Sequence, residues 1–255
     1  MINSTLFKSV HVEGTTLGDT WFQLLNRLWE EGRRGILITE GSHKGSYRLE
    51  FDMISGMSFH PHQRPLAPIL PPSIGEVPTT DDVIQKYFEE YLMNPKLLPN
   101  EEYRYSTWIN GKYYNDWHYS GKIGRFESQL EWIIWHFKEK GYGNNHCFIQ
   151  VGDPTSNFAY DIPYSNETER RTSPCLRGLD FKIKENKLLM GVIYRSWDLY
   201  GGWPENMGGF TLLNEYICDM LGDVEPGPMA FFSMGLHCYD HQIIALRKVL
   251  GKNEN

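Results

Sequence analysis

The chain has 255 residues, 40% hydrophobic and 14% aromatic, with a formal net charge of -7. That is ample apolar surface for a core and too many aromatics for a disordered segment. No linker, charge block or internal period divides the chain, so a single domain over residues 1–255 is expected. The negative charge, with Lys and Arg scattered, argues against general nucleic-acid binding, although a few arginines can still hold one phosphate. No apolar run reaches membrane-spanning length, and the opening MINSTLFKSVHVEG lacks a basic region followed by an apolar stretch. A cytoplasmic protein that does not engage a membrane is expected.

Leu17–Glu31 predicts an amphipathic helix with Asp19 as N-cap and Trp21, Leu24, Leu25, Leu28 and Trp29 as its buried stripe. Gly35–Thr39 and Ser46–Ile54 read as strands, the second alternating Tyr47, Leu49, Phe51 and Met53 with polar partners. The prolines of Met57–Thr80 exclude helix and central strand and predict an ordered surface loop or lid. Its His60, His62 and Arg64 lack a third ligand nearby and read as a solvated loop.

Asp81–Met93 predicts a second helix, capped by Thr80, with its apolar face on Ile84, Phe88 and Tyr91. Glu90 flanks that face more closely than Glu89; taken singly, both read as solvated helix glutamates. The aromatic-rich stretch 100–124 can stack a planar ligand or pack on the core. Phe126–Lys140 predicts a third helix and Cys147–Val151 a strand, and Asp153–Thr172 reads as a polar loop closed by Arg170 and Arg171. These arginines stand a few residues before Cys175, close enough along the chain for one to reach a phosphate there.

Pro174–Lys184 and Lys187 to about Arg195 then read as two strands around a tight turn at Glu185-Asn186. A loop of small and polar residues follows, with a helix beginning near Gly209 and running over Phe210–Leu221 to Gly222. In a two-residue hairpin, residues i and 371 minus i face each other, which sets Cys175 opposite Ser196 and beside Arg195. Met229–Gly235 reads as a strand delivering His237 and Tyr239, and Asp240–Leu250 as the last helix. Strands and helices interleave in mixed order, predicting α+β or α/β with one main mixed sheet flanked by helices.

Four cysteines without a CxxC pair fit neither a disulfide framework nor a zinc site; Cys147, Cys218 and Cys238 read as reduced packing residues. Cys175 differs by its neighbours: a guanidinium, a hydroxyl, the acid Asp198, the amide Asn206, His237 and Tyr239. An amide reads a donor–acceptor edge, hydroxyl and imidazole suit a sugar, and an arginine holds phosphate and favours a thiolate. Together they fit a nucleotide whose base takes the thiolate.

The blocks Pro174-Cys175, Arg195-Ser196-Trp197-Asp198, Gly202-Trp203-Pro204-Glu205-Asn206 and His237-Cys238-Tyr239 resemble, in order and spacing, the thymidylate synthase superfamily, its archaeal-type branch above all. They occupy roughly the C-terminal third; the rest matches in outline. The resemblance implies a thymidylate synthase-like fold, a homodimer packed through the back of its sheet, and 5,10-methylenetetrahydrofolate or a methanopterin relative as reduced-folate co-substrate, with no metal. It implies that Cys175 attacks carbon 6 of a pyrimidine nucleoside monophosphate, that Arg195 and Ser196 bind the phosphate, Asn206 the base edge, and His237 and Tyr239 the ribose 3′-hydroxyl. Asp198 would sit at the base and folate boundary. Glu90 or Glu89 would be the catalytic glutamate, and Tyr105 the tyrosine that helps remove the carbon 5 proton.

The chain departs from the family in several places, among them the early loop arginine, for which Arg33, Arg34 and Lys44 are the candidates. Asn144-Asn145-His146 carries no arginine where a dimer-donated arginine pair completes the phosphate site, so Arg170 or Arg171 is the candidate replacement; and Leu176 follows the nucleophile in place of His. The expected reaction is reductive methylation of dUMP to dTMP. Hydroxymethylation of CMP, dCMP or dUMP stands second, and a non-catalytic nucleotide-binding module third.

Overall fold

The computed structural model describes residues 7–41, 43–74, 77–99, 101, 103–111, 126–152, 156–157 and 173–252. The first strand, β1 (Ser9–Gly14), is one the sequence reading did not single out: Val10 and Val12 point inward and Ser9, His11 and Glu13 outward. Helix α1 (Leu17–Glu31) follows with the expected bounds but a different cap. Thr16 is extended and its Oγ1 accepts the Asp19 N–H at 3.2 Å, whereas Asp19 lies inside the first turn and accepts the Thr15 N–H at 2.7 Å. Its Trp21, Leu24, Leu25 and Leu28 are buried, each stabilising the fold by about 1.5–3 kcal/mol.

The single strand expected over Ser46–Ile54 is two. β2 (Arg33–Leu37) and β3 (Tyr47–Glu50) belong to a small sheet, whereas β4 (Met53–Ser58) belongs to the large one. The chain changes sheets at Phe51 and Asp52: the Phe51 N–H donates to the Leu236 carbonyl, and the Asp52 carboxylate takes the Lys8 N–H and pairs with Arg33. Those partners fix a corner that alternation alone does not reveal. The loop beyond is anchored where its prolines cannot donate, through the Leu66 and Ala67 N–H groups on Asp81 and the two-pronged Arg64–Glu215 pair.

The helix expected over Asp81–Met93 is α-helical only as α2 (Asp81–Lys86), capped by Thr80, and continues as a π-helical segment, Tyr87–Met93. Side chains from downstream take the segment's free carbonyls: Arg104 bonds Glu90 O at 2.6 Å, Asn110 bonds Met93 O at 3.0 Å and Ser106 bonds Asn94 O at 2.7 Å. The short helix α3 (Ser106–Ile109) is thereby held against it. Helix α4 (Gln129–Lys140) starts three residues later than expected because Ser128 caps it, accepting the Glu131 N–H.

The remaining elements are β5 (Phe148–Gln150), β6 (Leu176–Lys184), β7 (Lys187–Tyr194), β8 (Trp197–Asp198), α5 (Gly202–Leu221), β9 (Glu225–Ser233), β10 (Leu236–Tyr239) and α6 (Ile243–Val249). The main sheet is mixed, in the order β1-β4-β9-β7-β6-β5, and the smaller sheet runs β2-β3-β10-β8. His237 and Tyr239 therefore lie on a strand of the small sheet rather than at the end of the strand through Met229. Helices α1 and α5 lie against one face of the main sheet: Thr20 bonds Ser58, Trp203 meets Phe231 edge-on and Thr211 contacts Met229.

Gly56 lies where β1, β4 and β9 come closest, and a Cβ there would overlap the Val12 carbonyl oxygen and the Phe231 ring. Gly56→Ala is expected to destabilise the fold by about 1–3 kcal/mol and to lower the thermal midpoint by several degrees; an unchanged midpoint would contradict this packing.

Candidate active site

The site is set by the β6–β7 hairpin. Glu185 and Asn186 both take positive φ (49° and 62°), the two-residue turn that suits the strand twist. Paired residues add to 371 from Lys184–Lys187 up to Gly178–Ile193, as expected; a bulge at Arg177 then shifts the register, so that Leu176 pairs with Tyr194. Cys175 accordingly faces Arg195, whose N–H donates to its carbonyl at 2.9 Å, and not Ser196. One extra residue inverts which side chains share a face, and the sequence carries no clear mark of it.

Arg195 is folded back over this strand end. Its Nε donates to Pro174 O at 3.2 Å, and Nη2 donates to Ser173 O at 2.8 Å and contacts Ser173 Oγ at 3.1 Å, while the side chain stays exposed enough to meet a ligand. Ser196 beside it is half-buried. Cys175 is the one half-exposed cysteine of the four. Burial pushes the thiols of Cys147 and Cys218 up to about 12, and that of Cys238 well above its ordinary value, which leaves them inert.

An aromatic wall stands over Cys175. The Tyr105 hydroxyl accepts the N–H of Leu176, the residue after the cysteine, at 3.4 Å. Tyr105 meets Tyr91 and Tyr194 edge-on, Tyr91 stacks on Tyr87, and Tyr194 lies flat on Trp197 with centroids 3.9 Å apart. Trp197 Nε1 donates to Asn206 Oδ1 at 2.9 Å, which fixes the orientation of that amide. Burial raises the hydroxyl pKa values of Tyr87, Tyr91, Tyr105 and Tyr194, so all four remain neutral donors.

Asp198 is built into the start of α5, accepting the N–H groups of Tyr200 (3.1 Å) and Gly202 (3.2 Å) and the Gln242 amide (3.1 Å). This cap starts the helix at Gly202 rather than near Gly209 and places Trp203, Pro204, Glu205 and Asn206 in its first turns, where proline is tolerated. On β10, which pairs with β8 so that His237 neighbours Asp198, His237 Nδ1 donates to Gly235 O at 2.8 Å. Its Nε2 is buried without a partner and presents a lone pair. Tyr239 meets His237 edge-on and forms a triangle of rings with His43 and His241.

Cys175, Arg195, Ser196 and Tyr105 thus gather at one strand end, and Asp198, Asn206, His237 and Tyr239 around the β8–β10 seam and the start of α5. Glu89 and Glu90 are exposed instead: Glu89 takes the Gln85 amide at 2.8 Å, and Glu90 faces Lys86 at 4.0 Å. Arg170 and Arg171 lie outside the described residues. Among the described residues no group of three or more His, Cys, Asp or Glu stands together to hold a metal. Tyr87, Tyr91, Tyr194 and Glu205 have no site role in the sequence reading, which places Tyr91 on the apolar face of its helix and Glu205 in the block before Asn206; the tyrosine pair Tyr87 and Tyr91, four residues apart, was the available signal.

No protein-family model matches the chain. Among curated proteins, it is 26% identical over 232 residues to a "Putative thymidylate synthase" of Methanosarcina mazei, covering 90% of this chain and 89% of that one. It is also 26% identical over 241 residues to a protein of the same name from Methanococcoides burtonii, with 94% of each covered. Among solved structures, thermostable thymidylate synthase A from Bacillus subtilis superposes with a TM-score of 0.63 over 94% of this chain and 86% of that one, at 15% identity. By fold, then, this is an α+β protein of the thymidylate synthase type, with a six-stranded mixed main sheet flanked by helices. In sequence over nine tenths of its length, and in fold, the chain is similar to proteins of the thymidylate synthase superfamily.

Burial lowers the His237 pKa below its ordinary 6.5; Arg48 and His43 push the same way, while the Gly235 carbonyl and Asp198 oppose, and Glu50 lies 4.0 Å away. The unfolded chain therefore takes up this proton first as pH falls. The stability His237 contributes is present above the ordinary value and lost progressively as pH drops toward the lower folded one. His237→Gln should flatten the fall in unfolding midpoint between about pH 7 and pH 5; an equally steep fall in the variant would contradict this burial.

Proposed function

We propose that this chain is a folate-dependent enzyme that transfers a one-carbon unit to carbon 5 of a pyrimidine nucleoside monophosphate through a covalent Cys175 adduct, most directly dUMP to dTMP. The observation that carries the reading is a half-exposed cysteine at a strand end where its carbonyl takes the Arg195 N–H and Tyr105 bonds the residue after it, within a thymidylate synthase-type fold. The Cys175 sulfur adds to carbon 6, which turns carbon 5 into a nucleophile. Arg195, tethered to the backbone before Cys175, directs its remaining N–H groups at the phosphate, with Ser196 as a further donor and Arg170 or Arg171 as a candidate second cation.

Asn206 reads the base edge. Because Trp197 fixes its amide, it offers one donor–acceptor order rather than either, a device that separates uracil from cytosine. His237 Nε2 accepts from the ribose 3′-hydroxyl, with Tyr239 alongside. Asp198, having capped α5, acts at the boundary of base and folate by positioning rather than by proton transfer. Tyr105 takes up the carbon 5 proton relay. Methylenetetrahydrofolate or a methanopterin relative supplies the carbon and, for methylation, the hydride. The half-buried rings of Tyr91 and Tyr103, which both contact Tyr105, offer aromatic faces to a pterin ring.

We further propose that the catalytic unit, residues 1–255, works as a cytoplasmic homodimer. The face of the main sheet opposite α1 and α5 carries Met57 beside Ala230, and Ser55, Phe232 and Ile193 side by side across β4, β9 and β7, with Met53 and Leu189 further along β4 and β7, all half-exposed. Such a contiguous apolar sheet face suits a second copy. Phe232→Glu is expected to shift the protein to monomer in sedimentation; a monomeric wild type would refute the assembly. No helix among the described residues is long and apolar enough to cross a membrane.

Mass analysis of products from dUMP, dCMP, UMP and CMP with methylenetetrahydrofolate tests the chemistry. A methyl gain on dUMP with dihydrofolate formed, abolished in Cys175→Ser, is expected. A hydroxymethyl gain with tetrahydrofolate would assign the alternative reaction on CMP, dCMP or dUMP, and nucleotide binding without turnover in reduced protein would identify a non-catalytic nucleotide-binding module.

A further inference from the structure

The carboxyls expected from the family's pattern, Glu89 and Glu90, face solvent and are engaged by Gln85 and Lys86. A different carboxyl faces the aromatic wall. Glu205, in the first turn of α5, is half-buried and has no hydrogen-bond or ion-pair partner among the described residues. One turn on, Gly208 and Gly209 are pressed against Ile84 and against Tyr87 and Leu92, so this face of α5 lies on the π-helical segment, close enough for Glu205 to act on the Tyr87 hydroxyl.

That hydroxyl is buried and turned toward the hydroxyl of Tyr194, which in turn faces Tyr105, and neither Tyr87 nor Tyr194 makes a well-formed hydrogen bond. Tyr87 stacks on Tyr91, and Tyr91 meets Tyr105 edge-on, whose hydroxyl takes the N–H of the residue after Cys175. An unpartnered carboxyl, a run of three buried phenols and the strand end that carries Cys175 therefore share one wall, with Asn206 next along the helix. Such groups are normally satisfied, and a buried polar set left open points to a ligand that completes it.

We propose that Glu205, backed by Tyr87, is the acid that exchanges a proton with the oxygen on carbon 4 of the base. The assignment rests on the one-carbon-transfer reading above. When the sulfur of Cys175 bonds to carbon 6, the carbon 5–carbon 6 π pair moves through carbon 4 onto its oxygen. Glu205 gives that oxygen its proton and becomes a carboxylate, and takes the proton back when carbon 5 bonds the one-carbon unit and the carbonyl re-forms. The task needs a carboxyl that stays protonated near neutrality. Burial raises the Glu205 pKa, and the groups facing it, Tyr87 with Tyr91, Tyr103 and Tyr194 behind, are neutral phenols rather than cations that would hold it ionised.

The test uses full-length Glu205→Gln, Glu205→Asp and Cys175→Ser with methylenetetrahydrofolate and the monophosphate that turns over in the product assay. Glu205→Gln should lower kcat by about 100-fold or more while calorimetry shows nucleotide affinity retained, and Glu205→Asp should recover part of the loss. The wild-type kcat should fall as pH rises through the raised carboxyl pKa, a limb absent from Glu205→Gln. Unchanged kcat in Glu205→Gln, or a loss confined to Glu89→Gln or Glu90→Gln, overturns the assignment while leaving the thiol chemistry intact. Full turnover in Cys175→Ser overturns the chemistry itself. Should Glu205→Gln fail to fold, the wild-type profile decides, since a profile without the descending limb also overturns the assignment.

Discussion

The hydrogen bond from the Arg195 N–H to the Cys175 carbonyl is the contact on which the site turns. Without the bulge at Arg177, the ladder would continue in its first register and set Cys175 against Ser196, with every side chain at the strand end on the other face. With it, Tyr194 opposes Leu176, where its ring meets Tyr105 on one side and Trp197 on the other. Arg195 is then short enough of reach to close on Ser173 and Pro174 while staying open to a ligand. Thiol, cation and aromatic floor are consequences of a single inserted residue.

A second constraint is the π-helical segment. It widens the helix by one residue per turn, so that Tyr87 and Tyr91 stack side by side, and its freed carbonyls are taken by Arg104, Ser106 and Asn110. Arg104 is buried and held by Glu101, whose carboxylate raises its pKa and keeps it charged. The same bonds that satisfy the backbone bring Tyr105 against Tyr91, and through it against Cys175. Backbone irregularity at a site, stabilised by buried side chains from elsewhere in the chain, is a recurrent way of aiming several groups at one point.

Helix α1, the C-terminal part of α5, the β6–β7 turn and the mixed α+β class were legible because each rests on local signals: apolar periodicity and a two-residue turn. The clustering of Cys175 with Arg195 followed from the same turn. What was not legible depended on distant partners. The corner at Phe51 and Asp52 is fixed by Leu236, Lys8 and Arg33; the early start of α5 is fixed by the Asp198 carboxylate, itself tied to Gln242. The glutamates of the second helix read as flanking the apolar face on a regular 3.6-residue repeat, and the π-helical segment breaks that repeat at Tyr87. Glu205 figures in the sequence only as a member of the Gly202–Asn206 block, because the turn that orients it reads as loop.

The central claim is that the Cys175 sulfur bonds to a pyrimidine ring. Its most direct test is intact-mass and peptide analysis of the protein after incubation with methylenetetrahydrofolate and 5-fluoro-2′-deoxyuridine monophosphate, in which fluorine replaces the proton that must leave carbon 5. The account predicts a stable adduct of nucleotide and folate on the peptide carrying Cys175. An unmodified Cys175 in protein that demonstrably binds the nucleotide, or an adduct on another residue, would contradict it.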